Sequence, residues 1–66
     1  MKNNIRVERA IVKISKQQVA DRIGVSRQTI NAIETCRFVP STLLALKIAK
    51  LFGRSVNEIF ELEEND

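Results

Sequence analysis

An all-α fold of five short helices is predicted by three observations. Each of the four serines, Ser15, Ser26, Ser41 and Ser55, stands immediately before a stretch with helical apolar spacing, where its hydroxyl can cap the first turn. The two glycines, Gly24 and Gly53, stand where such stretches end, as residues that close a helix in the left-handed conformation do. Alternation with strand period is almost absent.

The elements follow in order. Asn3 or Asn4 caps a first helix over 4–13. Ser15 and Gln18 form a capping box that opens a second over 16–23, stopped at Gly24. Ser26 opens a third over 27–35, and the stretch from Cys36 to Pro40 ends it. Ser41, just after Pro40, opens a fourth over 42–52 that carries the largely apolar stretch from Leu43 to Phe52 and stops at Gly53. A second capping box, Ser55 with Glu58, opens a fifth over 56–60. Only Ile59-Phe60-Glu61-Leu62-Glu63 alternates, which suits a short terminal strand against Met1-Lys2-Asn3.

Sixty-six residues, 1–66, make one domain, and a chain of this size buries only about 60% of the surface it exposes when unfolded. One cysteine excludes a disulfide within the chain, and with no histidine and a single thiolate a tetrahedral zinc site is nearly excluded. The same lack of histidine removes the usual general base, and isolated glycines cannot form a phosphate-cradling loop. An enzyme is therefore not expected, nor a cofactor, metal or small-molecule ligand. The longest apolar run, Leu43 to Leu46, cannot span a bilayer, and Met1-Lys2-Asn3-Asn4 lacks the apolar stretch of a signal peptide, so a cytoplasmic location is expected. The net charge of +3 conceals an asymmetry. Residues 1–54 hold all eleven Lys and Arg against three acids, a balance of +8, whereas residues 55–66 hold five acids and no base, −5. A basic body with an acidic end implies a polyanionic partner met on one side. Without Trp or Tyr, stacking on single-stranded nucleic acid is disfavoured, and Phe38, Phe52 and Phe60 read as core or turn anchors.

The second and third helices carry the sharpest signal. Val19, Ala20 and Ile23 face inward on one, Ile30 and Ile33 on the other. Gly24-Val25-Ser26 joins them as a stop, an apolar plug and a cap, and Ala20 supplies the small side chain that a steep crossing requires. That order is the signature of a helix-turn-helix, placed at about 16–35.

The stretch Ile14-Ser15-Lys16-Gln17-Gln18-Val19-Ala20-Asp21-Arg22-Ile23-Gly24-Val25-Ser26-Arg27-Gln28-Thr29-Ile30-Asn31-Ala32-Ile33-Glu34 closely resembles the Cro/C1-type (XRE-like) regulators of prokaryotes and phages. Pro40-Ser41, Leu46-Lys47-Ile48-Ala49-Lys50 and Ser55 to Phe60 continue the likeness over nearly the whole chain, which looks most like the minimal stand-alone members. The resemblance implies a five-helix, lambda-repressor-like domain that binds double-stranded DNA as a homodimer on a palindromic operator, as repressor or activator. It also implies that Arg9 and Glu34 pair to join the first helix to the end of the third, and that Gln17 clamps a phosphate. Three positions depart from the pattern: Glu8 stands where an apolar residue is usual, Thr35-Cys36 replaces Asn-Gly, and Thr42 replaces leucine.

In a helix-turn-helix the first turn of the second helix of the motif enters the major groove. Arg27 can place a planar fork on guanine O6 and N7, Gln28 or Asn31 can pair an adenine, and Thr29 suits a phosphate or a thymine methyl. Lys16, Gln17 and Arg37 are the phosphate candidates. Cys36 reads as a semi-buried structural cysteine. The last two helices hold more apolar residues than one core can use, which suggests a symmetric dimer contact involving Leu44, Ile59, Phe60 and Leu62. Ile11 and Val12 find no role in this reading. The rival readings are an antitoxin-type DNA binder that holds a partner protein, and a protein-binding helical module without DNA affinity.

Overall fold

Four serine hydroxyls begin four of the five helices. In the computed structural model, which describes residues 1–66, α1 spans Ile5–Val12, α2 Lys16–Ile23, α3 Arg27–Glu34, α4 Thr42–Phe52 and α5 Val56–Ile59. Ser15, Ser26, Ser41 and Ser55 accept hydrogen bonds from the backbone N–H of Gln18, Thr29, Leu44 and Glu58 respectively. Both expected capping boxes close, with Gln18 and Glu58 accepting in return from the N–H of Ser15 and Ser55 at 2.7 and 2.9 Å. The first helix starts differently. Asn4 occupies its cap position without capping, and its Nδ2 donates instead to the Glu58 carbonyl. The first-turn N–H of Ile5 donates to Oδ1 of the preceding Asn3, at 3.3 Å.

Left-handed residues end the helices: Lys13 (φ 59°), Gly24 (φ 80°), Cys36 (φ 62°) and Gly53 (φ 65°). After α5 the backbone extends at Phe60, one residue earlier than the sequence suggests. Phe60–Glu61 forms strand β2, antiparallel to β1 at Lys2–Asn3, with Lys2 opposite Glu61 and Asn3 opposite Phe60. The two chain ends are thus tied by a ladder that places unlike charges across from one another.

Every helix contributes to one core: Ile5 from α1; Val19, Ala20 and Ile23 from α2; Ile30 and Ile33 from α3; Ile48, Ala49 and Phe52 from α4; Ile59 from α5, with Phe60 beside it. Ala20 is fully buried, which lets α2 and α3 approach closely at the turn. Two expectations require correction here. Ile59 and Phe60, assigned by sequence to a dimer contact, are 1% and 6% exposed in their own protomer's core, because α5 is a single turn whose inner side must close the base of the bundle. Phe38, read as an anchor, lies half out in solvent in the loop after α3. Leu62, by contrast, is 77% exposed.

Polar ties supplement this small core. Arg9 holds Glu34 through two parallel contacts, Nε to Oε2 at 3.0 Å and Nη2 to Oε1 at 3.1 Å, and its Nη1 donates to the Ile14 carbonyl. Glu8, on the inner side of α1 and 8% exposed, accepts from Arg54 Nε at 3.2 Å, and the same guanidinium reaches Glu58 at 3.7 Å. An acid at this apolar position is tolerated because Arg54 follows the α4 stop directly and can reach it.

Removing one partner of the mostly buried Arg9–Glu34 pair should cost about 3–5 kcal/mol, whereas two apolar residues of similar volume should restore most of that loss. Urea unfolding of Arg9→Ala, Glu34→Ala and Arg9→Met/Glu34→Leu checks both halves of this statement. If the double variant is no more stable than the singles, the pair contributes more than orientation. A pH dependence follows from α5. The carboxylate of Glu58 accepts from the Ser55 backbone N–H, which holds its pKa below the ordinary 4.5. A depressed carboxylate adds stability that is present above 4.5 and is lost as pH falls through the lower folded value. Glu58→Gln should therefore flatten part of the acid limb of a stability–pH curve by lowering stability slightly at neutral pH, with the most acidic region nearly unchanged.

Candidate nucleic-acid interface

The turn from α2 to α3 is fixed by its backbone. With Gly24 left-handed, the N–H groups of Gly24 and Val25 both donate to the Ala20 carbonyl, at 2.9 and 3.0 Å. Val25 packs its side chain against the core, and Ser26 starts α3 at once. The Ser26 hydroxyl also meets Thr29 Oγ1 at 3.0 Å, so Thr29 is half-buried and committed to the cap on its hydroxyl side.

Of the two faces of α3, the one with Ile30 and Ile33 lies in the core. Arg27 and Gln28 are exposed on the other, at the helix N-terminus where backbone N–H groups and the helix dipole favour negative charge. Asn31, one turn further on, is half-buried, and its Oδ1 accepts from Lys16 Nζ at 2.7 Å. This contact brings the first turn of α2 against the second turn of α3. Beside it, a depression of about 280 Å³ is lined by Arg6, Arg9, Lys16, Glu34 and Thr35. Arg6 was not singled out by sequence. It carries no motif, and only the packing of α1 brings it to this edge.

The remaining phosphate candidates are arranged unequally. Gln17 is exposed at the start of α2, but its Nε2 donates to Asp21 Oδ1 at 2.8 Å, so its amide is turned along the helix toward an acid. Its backbone N–H remains one of the first-turn donors that the helix itself does not use. Arg37 projects into solvent from the loop that follows α3, with its own N–H anchored on the Ala32 carbonyl at 2.9 Å.

The far end of α3 is closed by two residues. Cys36 is exposed and left-handed, which corrects the semi-buried reading: the loop turns its side chain outward, 4.0 Å from Asn3 Nδ2. Asn3 Nδ2 also donates to the Ile33 carbonyl at 2.8 Å. One amide thus caps the start of α1 with its oxygen and the end of α3 with its nitrogen. The sequence gives no signal for this, because the partners are thirty residues apart.

Comparison with known proteins agrees with this geometry. Residues 5–59 match a family model described as helix-turn-helix. Over 66 residues and the full length of both chains, the sequence is 44% identical to an uncharacterized HTH-type transcriptional regulator of Methanocaldococcus jannaschii and equally to one of Bacillus subtilis. A third such regulator, of Methanothermobacter thermautotrophicus, is 41% identical, with 98% of this chain and 96% of that protein covered.

A side chain with a Cβ strains the left-handed backbone by about 1–2 kcal/mol, part of which glycine returns through its greater freedom when unfolded. Cys36→Gly should therefore stabilise the domain by up to about 1 kcal/mol. A higher urea midpoint at constant m-value is the expected outcome; an unchanged or lower midpoint would show that the thiol makes a compensating contact.

Proposed function

Since the chain belongs to the Cro/C1-type helix-turn-helix family, we propose that it is a sequence-specific transcriptional regulator that binds double-stranded DNA. The observation that carries this reading is the exposed first turn of α3. Arg27 and Gln28 stand outward on a helix that is capped at its start and seated on the core by Ile30 and Ile33. A polar helix N-terminus held proud of a compact body is the shape that fits a major groove.

In this reading Arg27 places its guanidinium on a guanine, Gln28 pairs an adenine, and Thr29 supports the backbone at the groove edge. Lys16, Arg37 and the first-turn N–H groups of α2 near Gln17 meet phosphates, and Arg6 joins them from α1. Base contacts specify and phosphate contacts set the register, so the two groups have different signatures on mutation.

The protein acts as a homodimer on a palindromic operator, with half-sites roughly 34 Å apart, one helical turn. What supports a second copy is apolar surface that its own core leaves uncovered. Phe38, Val39, Leu43, Leu46 and Leu62 are all exposed, and Leu44 on α4 is half-buried. The proposed contact draws on the loop after α3, on α4 and on Leu62. No helix is long and apolar enough to cross a membrane, and the protein works in the cytoplasm. It represses by occluding a promoter, which requires binding and no chemistry.

Selection of bound sequences from a random duplex pool should yield a palindrome, with affinity falling steeply as salt rises. Arg27→Ala should relax one position in each half-site by about 1–3 kcal/mol, while Arg37→Ala should weaken all duplexes alike and reduce the salt slope by about one. Absence of salt-sensitive binding to every duplex in the pool would refute the function.

A further inference from the structure

The contact between Lys16 and Asn31 does more than hold α2 against α3. We infer that Lys16, by occupying Oδ1 of Asn31, fixes Asn31 as a hydrogen-bond donor and makes guanine, not adenine, the base that it reads. The inference rests on α3 being the helix that enters the major groove.

The polarity of the contact follows from the chemistry of the two groups. A lysine ammonium has three donors and no acceptor. At 2.7 Å from Nζ, the atom of Asn31 that faces Lys16 must be the carbonyl oxygen, and the amide NH2 must point the other way. The distance is that of a charge-assisted hydrogen bond, the stronger kind. The backbone under Asn31 is anchored as well, since its carbonyl accepts from Thr35 Oγ1 at 2.8 Å. The side chain is half-buried, so its orientation is established before any duplex arrives.

An asparagine reads adenine by accepting from N6 with Oδ1 while donating to N7 with Nδ2. Here the first half of that pair is compromised. Oδ1 keeps a second lone pair beside the one that Lys16 uses, but an adenine amino group donating to it would bring its own positive edge next to the ammonium. Guanine presents two acceptors in the same place, O6 and N7. The amide NH2 can donate to either, and the ammonium alongside favours both. The pairing of Asn31 with adenine expected from sequence is therefore replaced by a guanine contact. Gln28 carries no such restriction, because nothing in the chain holds its amide, and it keeps the adenine option.

Lys16 acts here as a positioning residue, in addition to the phosphate that its remaining donors meet, so its test reads base preference at one position and not overall affinity. Base preferences of the wild-type protein, Asn31→Ala and Lys16→Met are compared by quantitative selection from the same duplex pool. Asn31→Ala identifies the position that Asn31 reads, as the one whose preference collapses. At that position the wild type should prefer guanine over adenine by roughly 10-fold or more. Lys16→Met keeps the aliphatic stem and frees Oδ1, so the same position should fall to within about threefold or turn to adenine, while other positions keep their order. Three outcomes would overturn the inference: adenine preferred by the wild type there, no position altered by Asn31→Ala, or a Lys16→Met protein weaker on all duplexes with its guanine preference intact. A wild-type protein that binds no duplex would instead defeat the DNA-reading role on which this rests, and is told apart by that initial lack of binding.

Discussion

The direction in which α3 points depends less on its core contacts than on polar ties at its two ends. Only Ile30 and Ile33 are fully buried, and an eight-residue helix with two buried side chains is not stable by propensity alone. Ser26 holds the start through Thr29. At the other end Arg9 grips Glu34 with two bonds, and Asn3 donates to the Ile33 carbonyl. Two apolar anchors allow a helix to roll about its own axis; the ties from α1 and β1 at the far end oppose that roll. These reach α3 from other elements, so its outward side is set by the fold as well as by its own sequence.

The same logic governs α1. It buries one apolar side chain fully, Ile5, yet it carries both acids and bases that reach across the molecule: Glu8 to Arg54 and Arg9 to Glu34. Ion pairs of this kind give little net stability because desolvation offsets most of their attraction. What they provide is a unique arrangement, since a slipped α1 would leave two carboxylates buried without partners. A small domain with eleven core residues has little apolar area with which to enforce such a register, and charge does it instead.

The legible parts of the structure are the local ones. Serine caps and left-handed glycines act within four residues, and they fixed four helix starts and two stops. Inward positions of α2 and α3 follow from helical period, and so does the Gly24 turn. The terminal strand was visible as alternation, although its partner register was not. What escaped is long-range. Asn3 looked like a cap for α1 and is that and a cap for α3, because a two-residue strand brings it there. Glu8 looked like a packing fault until the chain turned at Gly53 and delivered Arg54. Ile59 and Phe60 could be divided between core and dimer contact only by the structure, since a one-turn helix shows too few positions for a period to separate inside from outside. At the candidate site the residue types were readable and their hydrogen-bond polarity was not; Lys16 and Asn31 are fifteen residues apart on different helices.

The polar residues of α3 differ in how far they are free to change. Thr29 is tied to the Ser26 hydroxyl, Asn31 to Lys16 and Glu34 to Arg9, each by a contact that also supports the position of the helix. Arg27 and Gln28 are exposed, and their side chains support nothing in the fold. Under the proposed DNA-reading role, residues 27 and 28 can change without touching the support of α3. Residue 31 cannot, since a new residue there must either satisfy the Lys16 ammonium or leave it without its partner. Under that role, base reading is separate from helix support at Arg27 and Gln28 and joined to it at Asn31, because no hydrogen bond holds the first two side chains and Asn31 is bonded to Lys16 of α2.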